Sequence, residues 1–142
     1  MELLRVTARS YMFTASAPPA VIAGAAQTLA RIERDTQLRQ QLWRNADHLY
    51  DGLRQLGMDV GPDKTPVIGV LMPDLEGGLH TWRALIENGV YVNLALPPAT
   101  PSGTCLLRCS VSAAHTPEQL DTVLKTFEAV GNHTGVLADA AE

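Results

Sequence analysis

The residue with the clearest chemical potential in this sequence is an arginine in the middle of a strand-like segment. Residues 104–112 alternate between two kinds of side chain, and Arg108 lies in the more polar set. Such alternation predicts a strand with two unlike faces. An arginine in that position either faces water or binds an anion, because its planar guanidinium can hold a carboxylate through two hydrogen bonds. Composition alone favours the solvated alternative, since most charged residues in sheets face water.

The two faces of the predicted strand carry different expectations. The apolar face, expected to pack on a core, consists of Cys105, Leu107, Cys109 and Val111, and the other face consists of Leu106, Arg108, Ser110 and Ser112. The two cysteines are four positions apart, about 13 Å along a strand, which is too far for a disulfide. We therefore expect buried thiols in a reducing cytoplasm. A zinc site would need more ligands than the two cysteines and His115 together provide.

Composition and charge predict a globular domain. The chain has 142 residues, 46% of them hydrophobic, and a formal net charge of −4. This length suffices for one core, and the acidic balance argues against nucleic acid as a partner. No apolar run approaches the roughly 18 residues of a membrane span, and residues 1–13 lack the apolar core of a signal peptide. We expect a cytoplasmic protein without a transmembrane segment.

Periodicity predicts a long helical stretch followed by the order β-α-β-β-α. Apolar residues recur at helical spacing from residue 20 to residue 56, with a polar kink or break at 34–36. The later elements are predicted as three strands, 66–72, 90–95 and 104–112, and two helices, 76–88 and 117–131. The last helix is predicted to begin at a capping box of Thr116 and Gln119 and to end at Gly131. The predicted fold class is α/β (α+β), with a small mixed or antiparallel sheet and helices on one face.

Other residues with chemical potential are isolated in the sequence. The lysines, Lys64 and Lys125, are predicted in a turn and on an exposed helix face, where an amine is not desolvated enough for Schiff-base chemistry. His115 is predicted to pack or hydrogen-bond near the helix cap, and His48 to lie on a solvated helix face. No phosphate loop, dinucleotide fingerprint, zinc-protease motif or serine-hydrolase elbow is present.

Three segments resemble one family. RSYMFTASAPPA, GVYVNLALPPATPSGT and LLRCSVSAAHTPEQLD are similar to the C-terminal part of the pyridoxal-phosphate-dependent α-oxoamine synthases, and the bacterial serine palmitoyltransferases are the most similar branch. The resemblance extends from Ala8 to about Gly131. It implies the small C-terminal domain of a fold-type I transferase at residues 20–131, preceded by a cofactor-proximal segment at 1–19 and followed by a flexible tail at 132–142.

The resemblance also implies an activity and a set of site residues. The family condenses an amino acid, here L-serine, with an acyl-CoA and releases carbon dioxide, giving a 3-oxo-amine of the sphingoid-base type. Arg108 would hold the substrate carboxylate. Thr14, Ala15 and Ser16 would approach the phosphate of pyridoxal 5′-phosphate in the neighbouring subunit of a homodimer, although without the resemblance they predict only a helix-entry turn. The family's aldimine lysine lies upstream of RSYMFT, so we expect no catalytic residue here and no catalysis by this chain alone.

One departure from the family pattern motivates alternatives. Leu96 stands where several relatives carry an arginine, which would add a second cation near the substrate carboxylate. Leu96 and the missing lysine suggest a non-catalytic remnant, or an interaction module that docks on a full-length relative through the former dimer surface. Another branch, such as 8-amino-7-oxononanoate synthase, and a carboxylate binder that uses Arg108 alone are further alternatives.

Overall fold

The computed structural model describes residues 2–7, 17–100 and 103–137. The chain divides into two compact units, Met1–Thr36 and Gln37–Glu142. The first unit contains helices α1 (Glu2–Thr7) and α2 (Pro19–Arg34). Helix α3 (Thr36–Gln55) lies almost wholly in the second unit, and it is followed there by β1 (Val67–Met72), α4 (Leu75–Glu87), β2 (Asn93–Ala95), β3 (Cys105–Ser110) and α5 (Pro117–Thr134). Within the described residues no helix is long and apolar enough to cross a membrane.

The predicted long helical run is two helices. Helix α2 begins at paired prolines, as the sequence predicts, because proline fits the first turn of a helix. It ends at Arg34, so the polar segment at 34–36 is a break. No side chain of α2 is buried, and its large apolar residues are 49–63% exposed: Val21, Ile22, Leu29 and Ile32. The helical spacing is therefore confirmed, while the apolar stripe that it creates is exposed.

The second unit is built on a three-stranded sheet of order β1-β3-β2. Both strand pairs are antiparallel, with Gly69 and Asn93 opposite Arg108 on either side. Strands β1 and β2 therefore run in the same direction, and α4 connects them while β3 lies between them. This split β-α-β arrangement places the arginine strand in the centre of the sheet. The predicted fold class, a small antiparallel sheet with helices, is confirmed.

Helices α3, α4 and α5 provide the core of the second unit, together with one face of the sheet. The buried apolar residues form one cluster: Leu49, Tyr50, Leu53, Met58, Ile68, Val70, Met72, Leu85, Val90, Val92, Cys105, Leu107, Cys109, Leu120, Phe127 and Val130. Helices α3 and α5 supply several of them. In α4, Leu79 and Ile86 are 41% and 36% exposed, while Gly78 and Thr81 are buried.

The last helix is longer than predicted. Gly131 does not end it, because α5 continues to Thr134 and the left-handed residue after it is Gly135, at φ 81°. Gly131 is instead buried within the helix, where a Cβ would lie 2.7 Å from Leu137 and 2.8 Å from Met58. Its small size, and not its conformational freedom, is therefore what the structure uses.

Candidate anion-binding site

Arg108 projects from the centre of the open face of the sheet. Along β3 the side chains of Cys105, Leu107 and Cys109 are buried, while that of Arg108 is exposed, so the predicted division into two faces is confirmed. Directly opposite residues of antiparallel strands place their side chains on the same face. Arg108 is therefore flanked by Gly69 from β1 and by Asn93 from β2. Because glycine has no side chain, β1 places no side chain directly opposite Arg108.

The guanidinium of Arg108 has no bonding partner among the described residues. In the described parts of the chain it makes neither a hydrogen bond nor an ion pair. Arg108 lines a cleft of about 510 Å³, of which none of the described lining residues is acidic. A volume of this size suits a small ligand. A permanent cation without a carboxylate partner, in a cleft without negative charge, can bind an anion.

The buried face of β3 carries both cysteines as free thiols. Cys105 is 2% exposed and Cys109 is 4% exposed. Burial raises the pKa of the Cys109 thiol to about 12, because a thiolate would lose its hydration in the core. These thiols therefore act as small apolar side chains and are unreactive at neutral pH. In the described residues no group of histidine, cysteine, aspartate and glutamate side chains is arranged to hold a metal ion.

The corner after β3 is held by an asparagine that the sequence analysis missed. The buried amide of Asn45 in α3 donates two hydrogen bonds, to the carbonyls of Ser112 at 2.9 Å and His115 at 2.8 Å. The Nδ1 atom of His115 accepts a hydrogen bond from the backbone N–H of Ser112 at 3.2 Å, which confirms the predicted role of this histidine. A polar residue at position 45 in an otherwise apolar helix face was the only signal in the sequence.

The start of α5 is fixed by the predicted capping box. The Thr116 hydroxyl accepts from the backbone N–H of Gln119 at 3.3 Å, and the Gln119 side chain accepts from the backbone N–H of Thr116 at 3.0 Å. Because β3, the corner and this helix start are each hydrogen-bonded, the strand that presents Arg108 is anchored at its C-terminal end.

Two further polar side chains lie near Arg108: Tyr91 just before β2, and Asn93 at its first position. Val90 and Val92 are buried, and the Trp82 Nε1 group donates to the Val92 carbonyl at 3.0 Å. Alternation along an extended chain then turns the intervening Tyr91 outward, where it is 80% exposed. The Tyr91 hydroxyl donates to the Oδ1 atom of Asn93 at 3.2 Å. Both residues line the cleft that Arg108 lines.

Other residues singled out in the sequence lie elsewhere. Thr14, Ala15 and Ser16 are outside the described residues. Leu96 is half-buried and packs against the core, so it brings no charge to the open face. His48, predicted on a solvated face, is 46% exposed in its side chain and lies 2.7 Å from Asp121 of α5.

Neither lysine is suited to Schiff-base chemistry. Lys64 lies 2.7 Å from Asp51, and this hydrogen bond raises the pKa of its amine. Lys125 is exposed on α5. An amine must lose its proton to attack a carbonyl group, and the ion pair with Asp51 opposes that loss at Lys64. This result agrees with the sequence-based expectation for both lysines.

The fold and the site together define a small mixed α/β domain that presents one cationic side chain on the open face of its sheet. Comparison with known proteins identifies the family. The family model for aminotransferase class I and II matches residues 1–127, so the chain belongs to that family. The resemblance to the α-oxoamine synthases within it is confirmed by the relatives.

Three relatives illustrate the similarity. A serine palmitoyltransferase of Caulobacter vibrioides (strain NA1000 / CB15N) is 51% identical over 136 residues, which are 96% of this chain and 34% of that protein. An 8-amino-7-oxononanoate synthase of Alkaliphilus oremlandii (strain OhILAs) is 37% identical, with 91% of this chain and 33% of that protein covered. The high-resolution structure of SPT with the PLP internal aldimine superposes with a TM-score of 0.89 at 43% identity, covering 95% and 34% of the two chains. The chain thus spans about a third of the length of the relatives that it matches.

Proposed function

We propose that this chain is the C-terminal part of a pyridoxal-phosphate-dependent acyltransferase, in which Arg108 holds the carboxylate of the amino-acid substrate. The reaction is the decarboxylative condensation of an amino acid, L-serine, with an acyl-CoA to a 3-oxo-amine, a step of sphingoid-base synthesis. Similarity to a serine palmitoyltransferase at 51% identity supports this choice of substrate class.

The observation that carries the proposal is the state of Arg108. Its guanidinium is exposed on the central strand, is unpaired among the described residues, and lies at a cleft whose described lining includes no acid. A surface arginine that serves only solubility has no requirement for such surroundings. A carboxylate clamp needs them, because a neighbouring acid would compete with the substrate for the same donors.

The described residues alone do not form a site for pyridoxal 5′-phosphate. Both lysines are exposed and unsuited to bind its aldehyde, and Thr14, Ala15 and Ser16 lie outside the described residues. The cofactor would bind only to the complete protein, in which Thr14–Ser16 would approach its phosphate. The described residues would supply the binding of the substrate carboxylate.

In this proposal residues 20–131 are the small domain and residues 1–19 the cofactor-proximal segment. The flexible tail predicted at 132–142 begins too early, because α5 continues to Thr134 and Leu137 packs against the core. The complete protein is then a cytoplasmic homodimer. The two free, buried thiols support a reducing compartment.

A second candidate function rests on helix α2. Its four large apolar side chains are 49–63% exposed, which is a surface that other protein can cover. The chain would then be a non-catalytic module that docks on a full-length relative. The size of the native protein in its source cells separates the candidates: an immunoblot band near three times 15.3 kDa favours the enzyme, and a band at 15.3 kDa favours the module.

The enzymatic proposal is tested by reconstitution. The chain is mixed with a lysine-bearing N-terminal fragment of the 51%-identical relative, and cofactor absorbance and CoA release from palmitoyl-CoA are measured. We expect both signals with the native chain. We expect Arg108→Ala to raise the KM for L-serine at least about tenfold. Arg108→Lys should have an intermediate effect, because a lysine keeps the charge but cannot form the two parallel hydrogen bonds of a guanidinium.

The control is the KM for the acyl-CoA, which the Arg108 variants should leave within about twofold. Absence of both cofactor absorbance and CoA release would reject the enzymatic proposal. An equal KM for L-serine in all three proteins would reject Arg108 as the clamp.

A further inference from the structure

We propose that Asn93 is the second carboxylate-binding residue of this site, and that Tyr91 orients it. This inference rests on the proposed function of Arg108 and adds to it a neutral donor that sets specificity for a carboxylate. The ligand is an α-amino acid, bound by its carboxylate between the guanidinium of Arg108 and the side-chain amide of Asn93.

The register of the sheet brings the two side chains together. Asn93 is the direct partner of Arg108 in the β2–β3 pair, so both project from the open face as neighbours. Opposite side chains of an antiparallel pair have Cβ atoms about 5 Å apart. The two oxygens of one carboxylate can therefore reach both groups. On the other flank Gly69 adds no side chain, so Asn93 is the only cross-strand side chain directly beside Arg108.

The hydrogen bond from Tyr91 decides which end of the amide faces a ligand. Because the Tyr91 hydroxyl donates to Oδ1 of Asn93, the amide oxygen is occupied. The Nδ2 group makes no hydrogen bond to any described residue. An amide held in this way keeps both N–H donors free for a ligand, while its oxygen already accepts one hydrogen bond. That polarity matches a carboxylate, which only accepts hydrogen bonds when ionised.

The backbone around the pair is held in place. Val90 and Val92, which alternate with Tyr91 and Asn93, are buried, and the Val90 N–H donates to the Leu85 carbonyl at 2.9 Å. Trp82 holds the Val92 carbonyl. Helix α4 thus fixes this segment from the core side, and Tyr91 and Asn93 are among the residues that line the cleft. A donor on a fixed backbone loses little entropy when a ligand binds.

The experiment is an NMR titration of the isotope-labelled 142-residue chain. The probe is L-serine, and serinol, which has a second hydroxymethyl group in place of the carboxylate, is the comparison ligand. We expect a saturable shift of the Arg108 side-chain resonance with L-serine and none with serinol. We expect Asn93→Ala to weaken L-serine binding about tenfold. Tyr91→Phe, which frees the amide to rotate, should weaken it about threefold.

Asn93→Asp provides a sharper variant, because it replaces the donor by a second carboxylate. We expect it to weaken L-serine binding more than Asn93→Ala does, because the new carboxylate repels that of the ligand. A merely structural role of Asn93 would make the loss of binding follow the loss of thermal stability in the two variants. Comparing L-serine binding with thermal unfolding of both variants therefore isolates recognition from folding.

Asn88→Ala is the matched control. Asn88 lines the same cleft, but its amide is committed to the Ala84 carbonyl at 2.9 Å, so L-serine binding should remain within twofold of the native value. If Arg108→Gln abolishes binding while Asn93→Ala and Tyr91→Phe leave it unchanged, the inference is wrong and the proposed function stands. Absence of any saturable shift in the native chain would reject the carboxylate site and the inference together.

Discussion

The two faces of the small sheet are built from alternate residues of the same strands and differ in almost every physical respect. On the helix-covered face of β3, Cys105, Leu107 and Cys109 are 0–4% exposed. On the open face, Arg108 and Ser110 are exposed and Leu106 is half-buried. Both faces share one backbone and one hydrogen-bonding register. What separates them is the packing of three helices on one side.

This difference assigns stability to one face and recognition to the other. Core residues contribute through close packing, and their substitution leaves cavities or overlaps. Residues on an open face have room to bind and contribute little to folding. Of the three predictions that follow, two compare substitutions of like residues on the two sides, and the third tests the burial of a cysteine on the covered face.

The largest effect is expected for adjacent leucines of β3. Leu107 is fully buried, so Leu107→Ala should lower the free energy of unfolding by about 3 kcal/mol through the lost transfer energy and the cavity. Leu106→Ala, on the open face, should cost about 1 kcal/mol or less, because less apolar surface is lost. Urea denaturation of both variants measures the difference. Equal losses would contradict the division between the faces.

A smaller effect is expected for two glycines. At Gly78 a Cβ would overlap the Sγ atom of Cys105 on the covered side, so Gly78→Ala should destabilise by about 2 kcal/mol. At Gly69, beside Arg108, the nearest heavy atoms to a Cβ are side-chain carbons of Leu106 at 3.9 Å. Gly69→Ala should therefore change stability by less than about 0.5 kcal/mol. Thermal unfolding by circular dichroism would compare the pair, and a larger loss at Gly69 would be the contrary result.

The smallest effect concerns pH. The pKa of Cys109 is 9.0 in an ordinary environment and about 12 in the core, so the folded state binds the thiol proton more tightly than the unfolded state does. The contribution of this thiol to the free energy of unfolding is complete below pH 9 and is lost as the pH rises from 9 toward 12. At pH 10 the loss should be about 1 kcal/mol. The Cys109→Ala variant should lack this part of the pH dependence. If the free energies of unfolding of the native chain and the variant change in parallel from pH 8 to 10.5, the thiol is hydrated in the folded state and the prediction is wrong.

The contrast between helices α2 and α3 shows where periodicity stops being informative. Both have apolar residues at helical spacing, and both are helices. In α3 the stripe includes Ala46, Leu49 and Leu53, which are buried, while α2 buries none of its side chains. Spacing predicts that a stripe exists, because it depends only on the pitch of the helix. Whether another element covers the stripe depends on tertiary contacts.

The sequence by itself determined the order of the elements, the two faces of β3, the capping box at Thr116 and the family to which the chain belongs. These are local properties, set by alternation, helix pitch and capping chemistry that neighbouring residues supply. It also singled out Arg108 as the residue to test. It did not decide whether Gly131 ends the last helix or lies inside it. A glycine can serve close packing or a left-handed turn, and the sequence does not distinguish the two.

Only the tertiary structure decided which residues surround Arg108. The register pairs it with Asn93 and Gly69, which are 15 and 39 positions away in the sequence. It also brought Asn45 to the corner after β3, across 67 positions to the Ser112 carbonyl. Such pairings depend on how strands and helices assemble over long separations, and no local pattern encodes them. The site is therefore a product of the register, while the elements that carry it are products of the local sequence.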